Sequence, residues 1–185
     1  MNSDFTDTES TEEVSNQVPR FVVGLGASAG GLDSLEKFFK KMPPDNGLAF
    51  VVVQHLSPDY KSMMVELLSK HTRMKVQHAV NGSLIKPDTV YLIPPKKQLT
   101  IEEGKLFLVE QATVSGINLP IDIFFRSLAR DQESQAIAVI LSGTGTDGTL
   151  GGRVVKEVGG YVLVQTPESA QFDGMPKSAI QTGIA

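Results

Sequence analysis

Three segments of the sequence combine small residues with a side chain that could do chemistry. Ser28 is the centre of the pentapeptide GASAG at 26–30, His55 follows an apolar run, and Asp147 lies in the segment SGTGTDG at 142–148. Serine, histidine and aspartate are the side chains of nucleophilic acyl transfer, in which the histidine takes the serine proton and the aspartate orients the histidine. These three residues are therefore the candidate catalytic set.

The glycine-rich segment after the first apolar run fits two motifs. Gly24, Gly26 and Ala29 match the G-x-G-x-x-A pattern of dinucleotide sites, whereas 26–30 matches the G-x-S-x-G pattern of a nucleophile turn. A glycine-rich turn without a ligand is also compatible with the local pattern. A dinucleotide site usually has an acidic residue at the end of the second strand, and here that strand ends at His55. The histidine favours the acyl-transfer interpretation.

The segment around Asp147 is open to several uses. Its three glycines expose the backbone and fix the carboxylate, so the loop could be an anion nest, a nucleotide loop or a metal loop. With a serine and a histidine at neighbouring strand ends, Asp147 would instead orient the imidazole. The backbone at Thr144 and Gly145, with Ala29 beside the serine, would then support an oxyanion hole.

Apolar runs alternate with amphipathic segments along most of the chain. Strands are predicted at 21–25, 48–53, 75–79, 89–93, 136–141 and 161–164, helices at 32–39, 63–68, 121–130, 150–158 and 176–181, and a hairpin at 98–101 and 105–109. This alternation predicts an α/β fold, a doubly wound and mostly parallel sheet with helices on both faces and an added antiparallel hairpin. In such sheets the carboxyl ends of the strands gather at one edge, which would bring the three candidate segments together.

Composition excludes several classes of protein. The chain has 185 residues, of which 41% are hydrophobic and 21% charged, as in an ordinary globular domain. It has no cysteine, so a disulfide scaffold, a zinc–thiolate site, an iron–sulfur cluster and a cysteine nucleophile are excluded, and with three histidines a His-rich metal site is not expected.

Charge and hydropathy indicate which partners and which cellular location to expect. Residues 1–20 hold five acidic side chains and one basic one, which accounts for the net charge of −4, and they are predicted to be a disordered acidic leader. Residues 21–185 are neutral and offer no electrostatic footprint for nucleic acid. No apolar stretch is long enough to span a membrane and no signal peptide is present, so a cytoplasmic protein that is not inserted in a membrane is expected.

From about Phe21 to Ala185 the sequence resembles the catalytic domain of the CheB-type chemotaxis protein-glutamate methylesterases. The resemblance is carried by GAS at 26–28 with Gly30-Gly31, Gln54-His55, YLIPP at 91–95, GTGTDG at 143–148 and GMP at 174–176. It implies hydrolysis of γ-glutamyl methyl esters on the cytoplasmic helices of chemoreceptors, often with deamidation of receptor glutamines, in signal transduction linked to a phosphorelay. It also implies that Ser28, His55 and Asp147 form the catalytic triad, with no metal or organic cofactor.

The sequence departs from the family pattern at four places. The family commonly has Thr at the position of Ala29, Met at that of Thr144, and a basic segment where 116–122 has no basic residue. Family members usually also have a receiver domain before the esterase domain, and residues 1–20 are too few to form one.

The departures suggest a particular version of the family. This version resembles those in fusion proteins with a CheR-type methyltransferase and PAS or kinase domains. The domain at 21–185 is expected to stop short of the family domain's C-terminal end. The alternative function is a non-catalytic signalling or binding module of the same fold within such a multidomain protein.

Overall fold

Nine strands and five α-helices make up the part of the chain that the computed structural model describes, residues 18–54, 63–111 and 119–185. The strands are β1 (Phe21–Ala27), β2 (Leu48–Gln54), β3 (Lys75–His78), β4 (Ser83–Leu84), β5 (Thr89–Leu92), β6 (Lys97–Glu102), β7 (Lys105–Glu110), β8 (Ala136–Ile140) and β9 (Tyr161–Val164). The helices are α1 (Gly31–Lys41), α2 (Met64–Ser69), α3 (Pro120–Gln132), α4 (Thr149–Glu157) and α5 (Gly174–Gln181).

The main sheet has six parallel strands in the order β3-β5-β2-β1-β8-β9. Strands β1, β2 and β8 lie at its centre, where their near-continuous apolar runs are buried on both faces. A second, antiparallel sheet has the order β4-β7-β6 and contains the predicted hairpin. The predicted architecture is therefore confirmed, with the two-residue strand β4 as an addition.

Helices cover both faces of the main sheet. On one face, Leu35 and Phe39 of α1 join a buried cluster with Leu25 of β1. On the other face, Ile121 and Phe125 of α3 join a second cluster, to which α4, α5 and the small sheet also contribute. No helix within the described ranges is long and apolar enough to cross a membrane.

Two glycines of β1 allow α3 to pack directly on the centre of the sheet. A Cβ atom at Gly26 would lie 2.4 Å from Cγ2 of Ile121, and one at Gly24 would lie 2.9 Å from Cε1 of Phe125. Both glycines are residues of a strand, and only Ser28–Gly30 form the turn that follows it. The first part of the G-x-G-x-x-A match is therefore explained by helix–sheet packing.

Three central strands end at the same level of the sheet. Ala27 of β1 pairs with Gln54 of β2, and Gly26 pairs with Ile140 of β8. The segments that follow β1 and β8, which begin at Ser28 and at Leu141, therefore leave the sheet side by side.

Candidate active site

The chain makes a tight turn at Ser28, between β1 and α1. The amide of Ser28 donates a hydrogen bond to the carbonyl oxygen of Ser142 at 3.0 Å, and the amide of Gly31 donates to the carbonyl oxygen of Ser28 at 2.9 Å. Gly30 has a φ of 68°, a left-handed conformation that favours glycine. This turn leaves the side chain of Ser28 partly exposed at the carboxyl edge of the sheet.

The carboxylate of Asp147 is held at the N-terminus of α3. Its Oδ2 accepts a hydrogen bond from the amide of Ile121 at 3.1 Å, and its Oδ1 accepts one from the amide of Asp122 at 2.9 Å. Asp147 is only 7% exposed. These two amides, at the N-terminus of the helix, fix the orientation of the carboxylate.

A second buried carboxylate lies beside the first. Asp122, in the first turn of α3, is 3% exposed, and its Oδ1 accepts a hydrogen bond from the amide of Gly151 in the first turn of α4 at 2.6 Å. Asp147 thus caps α3 while Asp122 of α3 caps α4. Burial raises the pKa of the Asp122 carboxyl above its ordinary value, and the charge of Asp147 raises it further, against the lowering effect of the Gly151 amide.

Sequence reasoning about the site missed Asp122. The signal that identifies it is helical spacing, because Asp122, Phe125 and Ala129 lie on one face of α3 and the latter two are apolar and buried. An acidic residue on the buried face of a helix needs a specific partner, which here is the start of the neighbouring helix.

We expect the substitution Asp122→Asn to change how stability depends on pH. Below the ordinary pKa of 3.8, the folded and the unfolded chain both keep the Asp122 proton. Between that value and the raised folded pKa only the unfolded chain releases it, so the free energy of unfolding of the parent falls as the pH rises. Asparagine at position 122 does not titrate. The melting temperature of the variant minus that of the parent should therefore increase with pH from about pH 4 upward.

The control for this measurement is Asp45→Asn, which removes an exposed carboxylate. It removes one negative charge as Asp122→Asn does, so a change that both variants show reports the loss of charge and not the burial of Asp122. If the Asp122→Asn curve runs parallel to that of the parent, the carboxyl of Asp122 titrates alike in the folded and unfolded chain and the assigned shift is wrong.

Ser28 and Asp147 line one cavity of about 270 Å³. Leu119, Ile121 and Met175 form its apolar wall, and the loop at 144–146 forms its polar rim. The loop is exposed whereas Asp147 and Met175 are buried, so the cavity opens past the loop to solvent.

The backbone amides of the predicted support residues donate to no acceptor among the described residues. These include the amides of Ala29 and Thr144, whereas that of Ser28 is bonded to Ser142. Gly174, at the start of α5, supports the loop closely, since a Cβ there would lie 3.0 Å from the nitrogen of Gly145. The predicted support residues thus flank Ser28 on the turn and across the cavity.

His55 lies outside the described residues. Its predecessor, Gln54, ends β2 and pairs with Ala27, the residue before Ser28. The relation of the imidazole to Ser28 and Asp147 therefore stays a prediction. Within 18–54, 63–111 and 119–185 no group of three or more His, Asp or Glu side chains is arranged to hold a metal ion.

The fold and the cavity together define a class of protein, a doubly wound α/β domain with a serine and an aspartate at adjacent strand ends. Comparison with known proteins identifies the family within that class. The family model described as CheB methylesterase matches residues 23–185, and the chain belongs to that family.

The chain is similar to individual relatives, one of which is named as a methylesterase. The protein-glutamate methylesterase/protein-glutamine glutaminase of group 3 operon of Rhizobium meliloti is 34% identical over 91% of this chain and 48% of its own length. A 104.1 kDa protein of Rhodobacter capsulatus is 46% identical over 65% of this chain and 13% of its own length.

A solved structure has the same fold. The crystal structure of the Thermotoga maritima CheB methylesterase catalytic domain matches with a TM-score of 0.82 and 33% identity over 91% of both chains. The full-length methylesterase/glutaminase of Thermotoga maritima is 33% identical over 89% of this chain and 49% of its own length. The chain thus spans about half the length of these two named enzymes.

Proposed function

We propose that this chain is a serine esterase that removes methyl groups from esterified glutamate side chains of chemoreceptors. The observation that carries the proposal is a cavity lined by both Ser28 and Asp147. The carboxylate of Asp147 accepts hydrogen bonds from two backbone amides there. Membership of the CheB methylesterase family and relatives named as protein-glutamate methylesterases support the same reaction. A cavity of about 270 Å³ suits a small esterified side chain rather than a large ligand.

The reaction follows the triad mechanism of acyl transfer. Ser28 Oγ attacks the ester carbonyl while His55 takes its proton, and Asp147 orients the imidazole and stabilises its charged form. The proton passes to the leaving oxygen, methanol departs, and the glutamyl group remains on Ser28 as an ester. A water molecule, deprotonated by His55, then hydrolyses this ester and restores Ser28. No metal ion or organic cofactor takes part.

Backbone amides hold the negative charge that develops on the carbonyl oxygen. The amides of Ala29 and Thr144, which have no acceptor among the described residues, are the donors in this proposal. Because they belong to the backbone, they do not depend on the side chains that the family commonly has at these two positions. The same acyl-enzyme would form from a glutamine with loss of ammonia, so deamidation uses the same residues.

The proposed partners follow from the substrate. Methylated cytoplasmic helices of chemoreceptors supply the ester, and the chain acts in the cytoplasm as part of chemotaxis-like signalling. The proposed setting is a multidomain protein with a CheR-type methyltransferase and PAS or kinase domains. The Rhodobacter capsulatus relative supports only the presence of such a domain in a much longer protein, since this chain covers 13% of that 104.1 kDa protein.

Labelling by a serine-directed phosphonate tests the proposed nucleophile. We expect the phosphonate to attach to Ser28 of the parent, located by mass spectrometry of peptides, and to leave Ser28→Ala unlabelled. Ser134→Ala, which removes an exposed serine on another part of the surface, should label as the parent does. Absence of label from the parent, or label on another serine, contradicts the assignment.

A further inference from the structure

Ser142 contacts the turn of the proposed nucleophile at two points. It is fully buried and follows β8 by two residues. Its carbonyl oxygen accepts a hydrogen bond from the amide of Ser28 at 3.0 Å, and its hydroxyl donates one to the carbonyl oxygen of Ala29 at 2.9 Å. Ser142 therefore fixes the peptide group before Ser28 and the peptide group after Ala29, and the Ser28–Ala29 peptide lies between these two.

The same hydroxyl also binds the segment that precedes α5. The amide of Phe172 donates a hydrogen bond to Ser142 Oγ at 3.0 Å, and the amide of Gly143 donates to the carbonyl oxygen of Phe172 at 2.9 Å. The amide of Ser142 itself donates to Oε1 of Gln165 at 2.9 Å. Ser142 thus uses its amide, carbonyl and hydroxyl to join three segments of the chain.

These bonds fix the backbone next to two particular amides. The Ala29 amide lies in the peptide between the two that Ser142 fixes, and Thr144 follows Ser142 by two residues along the chain. Neither amide donates to an acceptor in the described part of the chain. Because the amides of an oxyanion hole must be oriented before the charge forms, small changes in their position lower the rate strongly.

We propose that Ser142 is a positioning residue. It orients the amide of Ala29 relative to that of Thr144, so that both amides can bind the oxyanion. This inference rests on the proposed esterase reaction. Space at the contact is tight, since a Cβ at Gly30 would lie 2.9 Å from Ser142 Oγ. The position therefore takes a small hydroxyl side chain, and alanine is the substitution that removes the hydroxyl without adding volume.

A matched control exists on α3. The hydroxyl of Ser127 accepts a hydrogen bond from the amide of Ile101 at 3.1 Å and donates one to the carbonyl oxygen of Phe124 at 2.8 Å. It bridges a backbone amide and a backbone carbonyl as Ser142 does, but at the contact between α3 and β6. The variants Ser142→Ala and Ser127→Ala thus lose the same kind of bonds at different places.

The test compares the kinetics of the two variants. We expect Ser142→Ala to lower kcat for methanol release from methylated receptor membranes by about 10- to 100-fold with little change in KM, because the amides act in the transition state. Ser127→Ala should keep the kcat of the parent. A kcat within about twofold of the parent for Ser142→Ala, or a rise in KM alone, overturns the inference.

Hydrogen exchange provides a readout that does not need esterase activity. In Ser142→Ala the amide of Phe172 loses its acceptor, so it should exchange faster with solvent. The amide of Ser28 keeps its carbonyl acceptor but should also exchange faster, because loss of the bond to Ala29 loosens the turn, while the amides of β1 and β8 keep their parent rates. If the parent has no esterase activity but the variant shows this exchange pattern, the proposed esterase function is wrong, while the role of Ser142 in shaping the turn is supported. Unchanged exchange at Ser28 and Phe172 refutes that role, whatever the activity.

Discussion

Ser28→Ala and His55→Ala are each expected to reduce methanol release to one shared floor, and the double variant is expected to lie on that floor. In the proposed mechanism the two residues act as a unit, because a base without a nucleophile has nothing to activate. Each loss should amount to about 10⁴-fold or more, and the losses should not add. The measurement is the rate of methanol release from methylated receptor membranes by the parent, both single variants and the double variant.

Two control variants separate this effect from general damage. Ser134→Ala removes an exposed serine, and His71→Ala removes a histidine whose Nε2 lies 3.7 Å from Glu36 Oε1, away from the cavity. Both should release methanol at the parent rate, and all variants should keep one cooperative thermal transition. If the losses of Ser28 and His55 instead multiply in the double variant, the two residues act independently and the proposed relay is wrong.

Asp147→Asn should lower both the rate and the stability. The rate is expected to fall by as much as about 10⁴-fold, because asparagine cannot stabilise the charged imidazole and favours the wrong tautomer. Its stability should fall as well, because the carboxylate accepts bonds from the amides of Ile121 and Asp122 and asparagine offers only one oxygen. Leaving one buried amide without an acceptor costs about 1–3 kcal/mol, measurable by urea unfolding.

The matched control is Asp131→Asn. The carboxylate of Asp131 accepts a hydrogen bond from the amide of Gly104, at 3.2 Å for Oδ2, and lies at the turn of the hairpin. This variant should lose stability and keep the rate. If Asp147→Asn also loses stability and keeps the rate, then Asp147 serves only as a helix cap.

Much of the fold follows from the sequence because its signals are local. The apolar runs that became β1, β2 and β8 are short and uninterrupted, which is typical of central parallel strands buried on both faces. The helices α1 and α3 carry apolar residues at helical spacing on one face. Two prolines, at 43 and 44, follow the end of α1 near its predicted boundary.

Other features depend on tertiary contacts that no local pattern contains. Strand β4 has only two residues and exists because it pairs with β7. Gly26 looks like a turn residue in the sequence, yet it lies in β1 because it pairs with Val53 and Ile140. It is a glycine because Ile121 leaves no room for a side chain there. The same holds for the hydroxyl of Ser142, whose acceptor and donor come from residues 29 and 172.

The candidate site divides in the same way. The placement of Ser28 and Asp147 near one another could be predicted because each follows a recognisable strand within a glycine-rich segment. The capping of α3 by Asp147, and of α4 by Asp122, could not, since each bond joins residues more than twenty positions apart. These bonds explain how an exposed loop can hold a carboxylate in a fixed direction.

Release of methanol from receptors whose glutamates carry a radiolabelled methyl ester tests the central claim most directly. The parent chain should release volatile label until the accessible ester is consumed, and Ser28→Ala should release no more than buffer does. Release by the parent at the level of buffer would leave the chain as a binding module of this fold. Release by Ser28→Ala at the parent rate would contradict the assignment of Ser28 as the nucleophile.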